Sequence, residues 1–151
     1  MEFVFPTQEL IEYLAENLRS EDVAEVAASS GLSPLEALMR SWDDSTTIGM
    51  KDGVPVLIFG VAHNDHVEGE GFPWMLATDD LEKCPVAFMK ECRKWVDWMH
   101  DGYPKLRNFV DARNKVHIKW LKYLGFEFIK LHESFGVQGL PFWEFTKEKV
   151  N

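Results

Sequence analysis

Residues Leu106–Phe126 read LRNFVDARNKVHIKWLKYLGF, and their periodicities give a strand, a helix and the start of a second strand in that order. Leu106–Val110 is a short apolar run, and Asn114 opens a helical pattern. At about 100° per residue, Tyr123, Val116, Trp120, Leu124, His117 and Leu121 fall on one continuous stripe, while Lys115, Lys119 and Lys122 share the opposite face. A helix of this kind lies with one side on a sheet. Gly125 can take the left-handed conformation that closes a helix without a Cβ penalty, and Phe126, Phe128, Ile129 and Leu131 begin the next apolar run.

Working outward, Phe3–Phe5 reads as a short strand, and Thr7 is placed to cap a helix carrying Leu10, Ile11, Leu14 and Leu18. Ser20 is expected to cap a second, Ala-rich helix through Ala28. Ser33-Pro34-Leu35-Glu36 combines an N-cap, a proline at the first helical position and a glutamate placed for a capping box. The period then changes: Thr46–Lys51, Asp52-Gly53 and Val54–Val61 predict a hairpin with a tight turn. A loop rich in Gly, His and acid leads to Phe72–Ala77, where Pro73 predicts a bulge or strand start rather than a central ladder position.

Pro85–His100 predicts a long helix, with Phe88, Met89, Cys92, Trp95, Val96 and Met99 on one stripe and Lys90, Lys94 and Asp97 opposite. Leu106–Val110, Phe126–Leu131 and Phe142–Thr146 supply the remaining strands. The expected fold is α/β in the α+β sense: one domain over residues 1–151, with a mixed, mostly antiparallel sheet of about six or seven strands flanked by helices.

Composition narrows the function classes. With 151 residues, 46% of them hydrophobic, the chain can bury one sizeable core. No apolar run reaches the roughly 18 residues of a membrane span, and Met1–Phe5 lacks the regions of a signal peptide, so an intracellular protein without a membrane segment is expected. Cys84 and Cys92 would lie about 12 Å apart along a straight helix, too far for a disulfide. A net charge of −9 disfavours general affinity for nucleic acid. Lys105, Arg107, Arg113, Lys115, Lys119 and Lys122 form the exceptional basic stretch, which reads as a solvated face or as an attractor of the phosphates of a cofactor or a nucleic acid.

The order strand, Asn114, helix, then Gly125-Phe126 eleven residues beyond the Asn resembles the second CoA-contacting segment of the GNAT superfamily of N-acetyltransferases. More locally, Gly53–Val56, Trp74–Asp79 and Tyr103–Val110 through His117–Leu121 resemble the protein 13 (internal virion protein A) family of short-tailed lytic phages, whose members are themselves acetyltransferase-like. The likeness covers roughly residues 45–147, and the N-terminal helices match less well. It implies the GNAT fold, acetyl-CoA as the cofactor, and a cofactor site made by the Trp74-Met75-Leu76-Ala77 strand, Asn114 and Trp120.

The resemblance also marks two departures. The turn expected to cradle the CoA pyrophosphate, Thr78–Pro85, contains no glycine and three acids, and Pro85 removes a donor. Each lost charge-assisted bond would cost about 1.5–3 kcal/mol. At the place of the family's acid tyrosine stands Leu121, which cannot donate a proton. Tyr123 is the nearest phenol, about 200° around the helix.

Several residues carry more than one reading. Asn114 either bonds the pantetheine arm or caps the helix that follows it. Trp120 is either core or a cofactor platform. His63, His66, Glu68 and Glu70 read as a solvated loop, or His63 with Glu68 or Glu70 serves as general base; their spacing matches no strong metal signature, so no metal is expected. Cys84 could be activated by a helix N-terminus, but Asp79, Asp80 and Glu82 oppose that. Trp42, Trp98, Phe135 and Trp143 are candidates for an interface.

Two functional expectations follow. One is a GNAT-fold phage protein with degenerate catalytic motifs, acting in virion assembly or host interaction through a phage or host protein, in the host cytoplasm or the virion. The other is an acetyl-CoA-dependent N-acetyltransferase acting on a protein or small-molecule amine, with catalytic candidates His63, Glu68, Glu70 and Tyr123. Fold alone does not separate them.

Overall fold

The computed structural model describes residues 1–84 and 86–150. Pro85 and the side chains of Ala87 and Phe88 lie outside that description, and with them the donor expected to be lost at Pro85 and the place of Phe88 on its stripe.

The first forty residues form β1 (Glu2–Val4) and helices α1 (Gln8–Asn17), α2 (Ser20–Ser30) and α3 (Pro34–Ser41). Thr7 caps α1 by accepting the Leu10 N–H at 3.2 Å, and Ser33 with Glu36 completes the expected capping box on α3. At α2 the expectation is corrected. Arg19 occupies the N-cap, with no side-chain cap bond, and Ser20 is already helical. The reason is tertiary: the Arg19 N–H is bonded to the carbonyl of Ala77, while its own carbonyl accepts the first N–H groups of the helix, from Asp22 and Val23.

The hairpin β2 (Thr47–Lys51) and β3 (Val54–His63) turns at Asp52-Gly53, both with positive φ, which is the turn whose twist suits paired strands. β4 (Glu70–Ala77), a 3-10 turn (Asp79–Lys83), α4 (Val86–Gly102), β5 (Lys105–Asp111), α5 (Lys115–Tyr123), β6 (Glu127–Phe135) and β7 (Leu140–Glu148) complete the order. Among the described residues seven strands form one sheet, ordered β1-β2-β3-β4-β5-β7-β6. The fold class is as expected.

The sheet separates two cores. Ile48, Ile58 and Leu76 face Ile11, Leu14 and Leu38 of the N-terminal helices. Their strand neighbours, such as Leu57 and Ala77, point the other way, to Val96 and Met99 of α4 and Leu121 of α5. α5 closes as its sequence suggests: Gly125 has φ 94°, its N–H bonds the Lys122 carbonyl, and the Phe126 N–H bonds Leu121 O at 3.1 Å. Val116 is exposed, and Ile118 packs on the core in its place.

β4 and β5 decide where a site can be. β4 is paired with β3 from Leu57↔Ala77 to His63↔Gly71, and β5 with β7 from Lys105↔Glu148 to Asp111↔Phe142. Between themselves β4 and β5 run parallel and pair only at Glu70↔Lys105 and Gly71↔Leu106. Beyond that they diverge. Pro73 sits inside regular β3–β4 pairing opposite Val61, which corrects the expected bulge. Its carbonyl accepts from Asn108 of β5, so Pro73 presents the edge of its backbone toward the divergence and its missing N–H removes no β3 bond.

Charged groups lock the paired end of the split. Arg107 Nε donates to Glu70 Oε1 at 2.6 Å and Nη1 to Glu144 Oε2 at 3.4 Å, and Glu144 Oε1 lies 2.8 Å from His132 Nε2. This network spans β4, β5, β7 and β6.

Candidate functional site

The split between β4 and β5 is laced across by side chains. Halfway along, Asn108 Nδ2 donates to Pro73 O at 2.9 Å and its Oδ1 accepts the Phe109 N–H at 2.8 Å. At the wide end the start of α2 enters. Leu18 makes an antiparallel bridge to Thr78, the Arg19 N–H donates to Ala77 O at 2.8 Å, and the Ala77 N–H donates to Asp22 Oδ2 at 2.9 Å. From the other strand, the Asp111 N–H donates to Glu25 Oε1 at 2.9 Å.

Asn114 joins the two sides. Its Nδ2 donates to Asp22 Oδ1 at 2.9 Å and reaches Glu25 Oε1 at 3.4 Å, and it makes no side-chain bond to the helix it precedes. The cap reading is thereby corrected: Asn114 occupies the N-cap position, but its Nδ2 is committed across the split to carboxylates of α2 and its side chain caps nothing. Arg19 supports the cluster through Asp22 at 3.3 Å and Glu21 at 3.0 Å. Asp22 and Asn114 are each 1% exposed and Arg19 2%, so the bonds are made out of water, where they hold most strongly.

Electrostatics follow from that burial. Desolvation pushes the Glu25 carboxyl up to about 8, more than the Asp111 N–H and the Asn114 amide pull it down, with Asp22 and Asp111 adding to the rise. Glu25 is therefore largely protonated at neutral pH. Desolvation also holds the His117 imidazole below its ordinary value, with Arg19 adding to this and Asp22 opposing it. Burial acts to raise the Asp111 carboxyl, yet the hydrogen bonds and charge of Arg113 keep it low.

Alongside these bonds runs a cavity of about 430 Å³, which passes from the α4 and α5 side of the sheet to the α2 and α3 side. Met75, Cys92, Trp95, Val96, Trp120 and Leu121 wall it on the first side, and Trp74, Phe109 and Phe135 on the second.

The connection from β4 to α4 uses its donors internally. Thr78 Oγ1 accepts the Asp80 N–H, Thr78 O the Leu81 N–H, and Leu81 O the Cys84 N–H. Three acids project from this turn. Cys84 is held above its ordinary value, chiefly by desolvation, and burial pushes the Cys92 thiol up to about 12; both are free thiols.

The sequence candidates divide between the split and its surroundings. Trp74, Met75, Leu76 and Trp120 line the cavity, and Ala77 and Asn114 stand at the wide end of the split. His63 is well exposed, 3.9 Å from Asp65, and Glu68 is exposed in the loop before β4. Glu70 is buried in ion pairing with Arg107 and also accepts from Asn64 at 3.0 Å. Tyr123 is turned to α4, where Arg93 lies 4.4 Å from its ring centroid. Of the basic stretch, Lys105, Arg107 and Arg113 are ion-paired, while Lys115, Lys119 and Lys122 face solvent. Among the described residues no group of His, Cys, Asp or Glu could hold a metal, and no helix is long and apolar enough to cross a membrane.

Sequence reasoning missed Arg19, Asp22, Glu25 and Asn108. A signal existed for one of them: Asp22 stands four residues before buried Val26, a carboxylate on the inward stripe of its helix.

Residues 48–133 match the family described as bacteriophage T7, probable scaffold protein Gp13. No curated protein matches the chain. Among solved structures it resembles the ribosomal-protein-alanine N-acetyltransferase of Brucella melitensis, with a TM-score of 0.70, 11% identity, and coverage of 99% of this chain and 100% of that one. A GNAT-family acetyltransferase from Bacillus anthracis gives 0.70 at 6% identity, covering 97% and 93%. The NatC complex bound to Gag peptide and CoA gives 0.65 at 13% identity, covering 99% and 100%. At such identities the likeness establishes the fold, which is that of the GNAT acetyltransferases.

Proposed function

The chain belongs to the family of the bacteriophage T7 probable scaffold protein Gp13, and from that premise we propose that it is a phage morphogenesis factor, serving virion assembly or host interaction on a GNAT fold that no longer performs ordinary acetyl transfer. Its partner is a phage or host protein, met in the host cytoplasm or the virion.

One observation carries this reading. The strand edge that the acetyltransferase likeness assigns to the cofactor is already bonded within the chain: Ala77 N–H to Asp22 and Ala77 O to Arg19. A pantetheine arm would have to displace both bonds and strip the buried Asp22 carboxylate of one of its donors. The bond to the Asp22 carboxylate is worth about 1.5–3 kcal/mol and the backbone bond from Arg19 N–H about 0.5–1.5 kcal/mol, so losing both lowers affinity by roughly one and a half to three decades. The turn after β4 adds to the effect, since its Asp80, Leu81 and Cys84 N–H groups are engaged and it carries three acids.

The second reading, an acetyl-CoA-dependent N-acetyltransferase, is favoured by the cavity beside β4 and by the retained Asn114-to-Phe126 segment. It requires α2 to withdraw, with Trp74, Met75, Leu76, Ala77, Asn114 and Trp120 then holding cofactor and His63, Glu68, Glu70 or Tyr123 moving the proton.

Phage complementation separates the two. A chain carrying His63→Ala, Glu68→Ala and Tyr123→Phe should restore virion yield as well as the native chain does. A folded triple variant that fails to restore it would favour the transferase.

A further inference from the structure

We propose that the cavity through the β4–β5 split is a binding site for a small, uncharged, mainly apolar molecule bearing one hydroxyl group, the hydroxyl bonding His117. At about 430 Å³ it falls within the range of small-molecule sites. Its walls are chiefly aromatic and aliphatic, from Trp95, Met99, Leu121 and Phe145 on one side of the sheet to Phe109 and Phe135 on the other.

The polar groups in that wall select the ligand. Asn108 is spent on Pro73 O and the Phe109 N–H. Glu25, raised to about 8, is largely neutral, and its Oε1 is occupied by the Asp111 N–H. Trp74 Nε1 and His117 Nδ1 are both buried with no hydrogen-bond partner, and both residues line the cavity; the indole can only donate, whereas the imidazole can donate or accept. His117 is 8% exposed. Desolvation keeps the ring neutral, so Nδ1 is a donor or an acceptor according to tautomer, and a hydroxyl satisfies either. An unpaired buried polar atom is costly, which favours a ligand that supplies the missing bond. A charged ligand would lose its hydration inside neutral walls, since the cavity's one arginine, Arg40, is exposed.

The inference rests on the non-catalytic reading only in taking CoA to be excluded from this space. Titration of the native chain with 2-naphthol, followed by fluorescence and by shifts of the His117 ring and the Trp95 indole in NMR spectra, is the test. Saturable one-to-one binding is expected, about threefold to tenfold tighter than naphthalene, with that preference lost in His117→Phe and binding abolished in Cys92→Phe. Absence of saturable binding to the native chain, shifts confined to residues away from the cavity, or tighter binding of 2-naphthoate than of 2-naphthol would overturn it. Displacement of 2-naphthol by CoA would overturn the non-catalytic reading while leaving the apolar site in place.

Discussion

Asn114 and Glu25 show how single side chains hold the split together. Asn114 Nδ2 is shared between Asp22 and Glu25, so Asn114→Ala leaves a buried carboxylate without one of its donors. We expect a loss of about 1–3 kcal/mol of unfolding free energy in urea melts, with no gain from any new contact. Glu25 makes the pH dependence distinctive. Its folded value of about 8 lies above the ordinary 4.5, so the folded chain keeps a proton that the unfolded chain gives up. Its contribution is therefore full below about pH 4.5 and disappears as pH rises through 8. His117, depressed in the folded state, works with the opposite sign, present above 6.5 and lost at lower pH. Asp22, Asp111 and Asn114 act on Glu25, and Asp22 and Arg19 on His117, so the difference between native and Glu25→Gln melting curves is the clean readout. The native chain should lose more stability than Glu25→Gln between pH 5 and pH 8, and equal slopes would contradict the assignment.

Helix α2 is the element on which the arrangement turns, and it is held at both ends. Its first turn bonds the split; its last carbonyls, Ala28 O and Ser29 O, accept from Gln138 and Val137 N–H in the β6–β7 turn. Gly136, with φ 70°, brings that turn so close that an added Cβ would lie 2.4 Å from Ala28 O. Gly136→Ala should therefore detach the turn and destabilise the chain by more than about 1 kcal/mol, read as a drop in melting temperature. By contrast Ser33→Ala, which removes the α3 cap bond, should cost about 1 kcal/mol. That cap was legible in the sequence, as were the Asp52-Gly53 turn and the closure of α5 at Gly125, because each is decided within a few residues. The role of α2 was not. Asp22 meets Ala77 across 55 positions and Asn114 across 92, and no local pattern encodes such distances. Pro73 was misread for the same reason, since its tolerance depends on which strand its backbone edge faces.

Taken whole, the molecule has the sheet of the acetyltransferase fold, with its parallel β4–β5 pair opening after two residue pairs, and bridges the wide end of the opening with its own side chains. The strand and helix order that implied this fold was readable from Leu106–Phe126 and the flanking periodicities. The state of the split was only half readable: the glycine-free, acidic turn stood in the sequence, whereas the bonding of Ala77 to α2 emerged only from tertiary structure. Isothermal titration calorimetry of the native chain with acetyl-CoA tests this account most directly. The account predicts no saturable heat up to millimolar cofactor; micromolar binding that weakens in Asn114→Ala would contradict it.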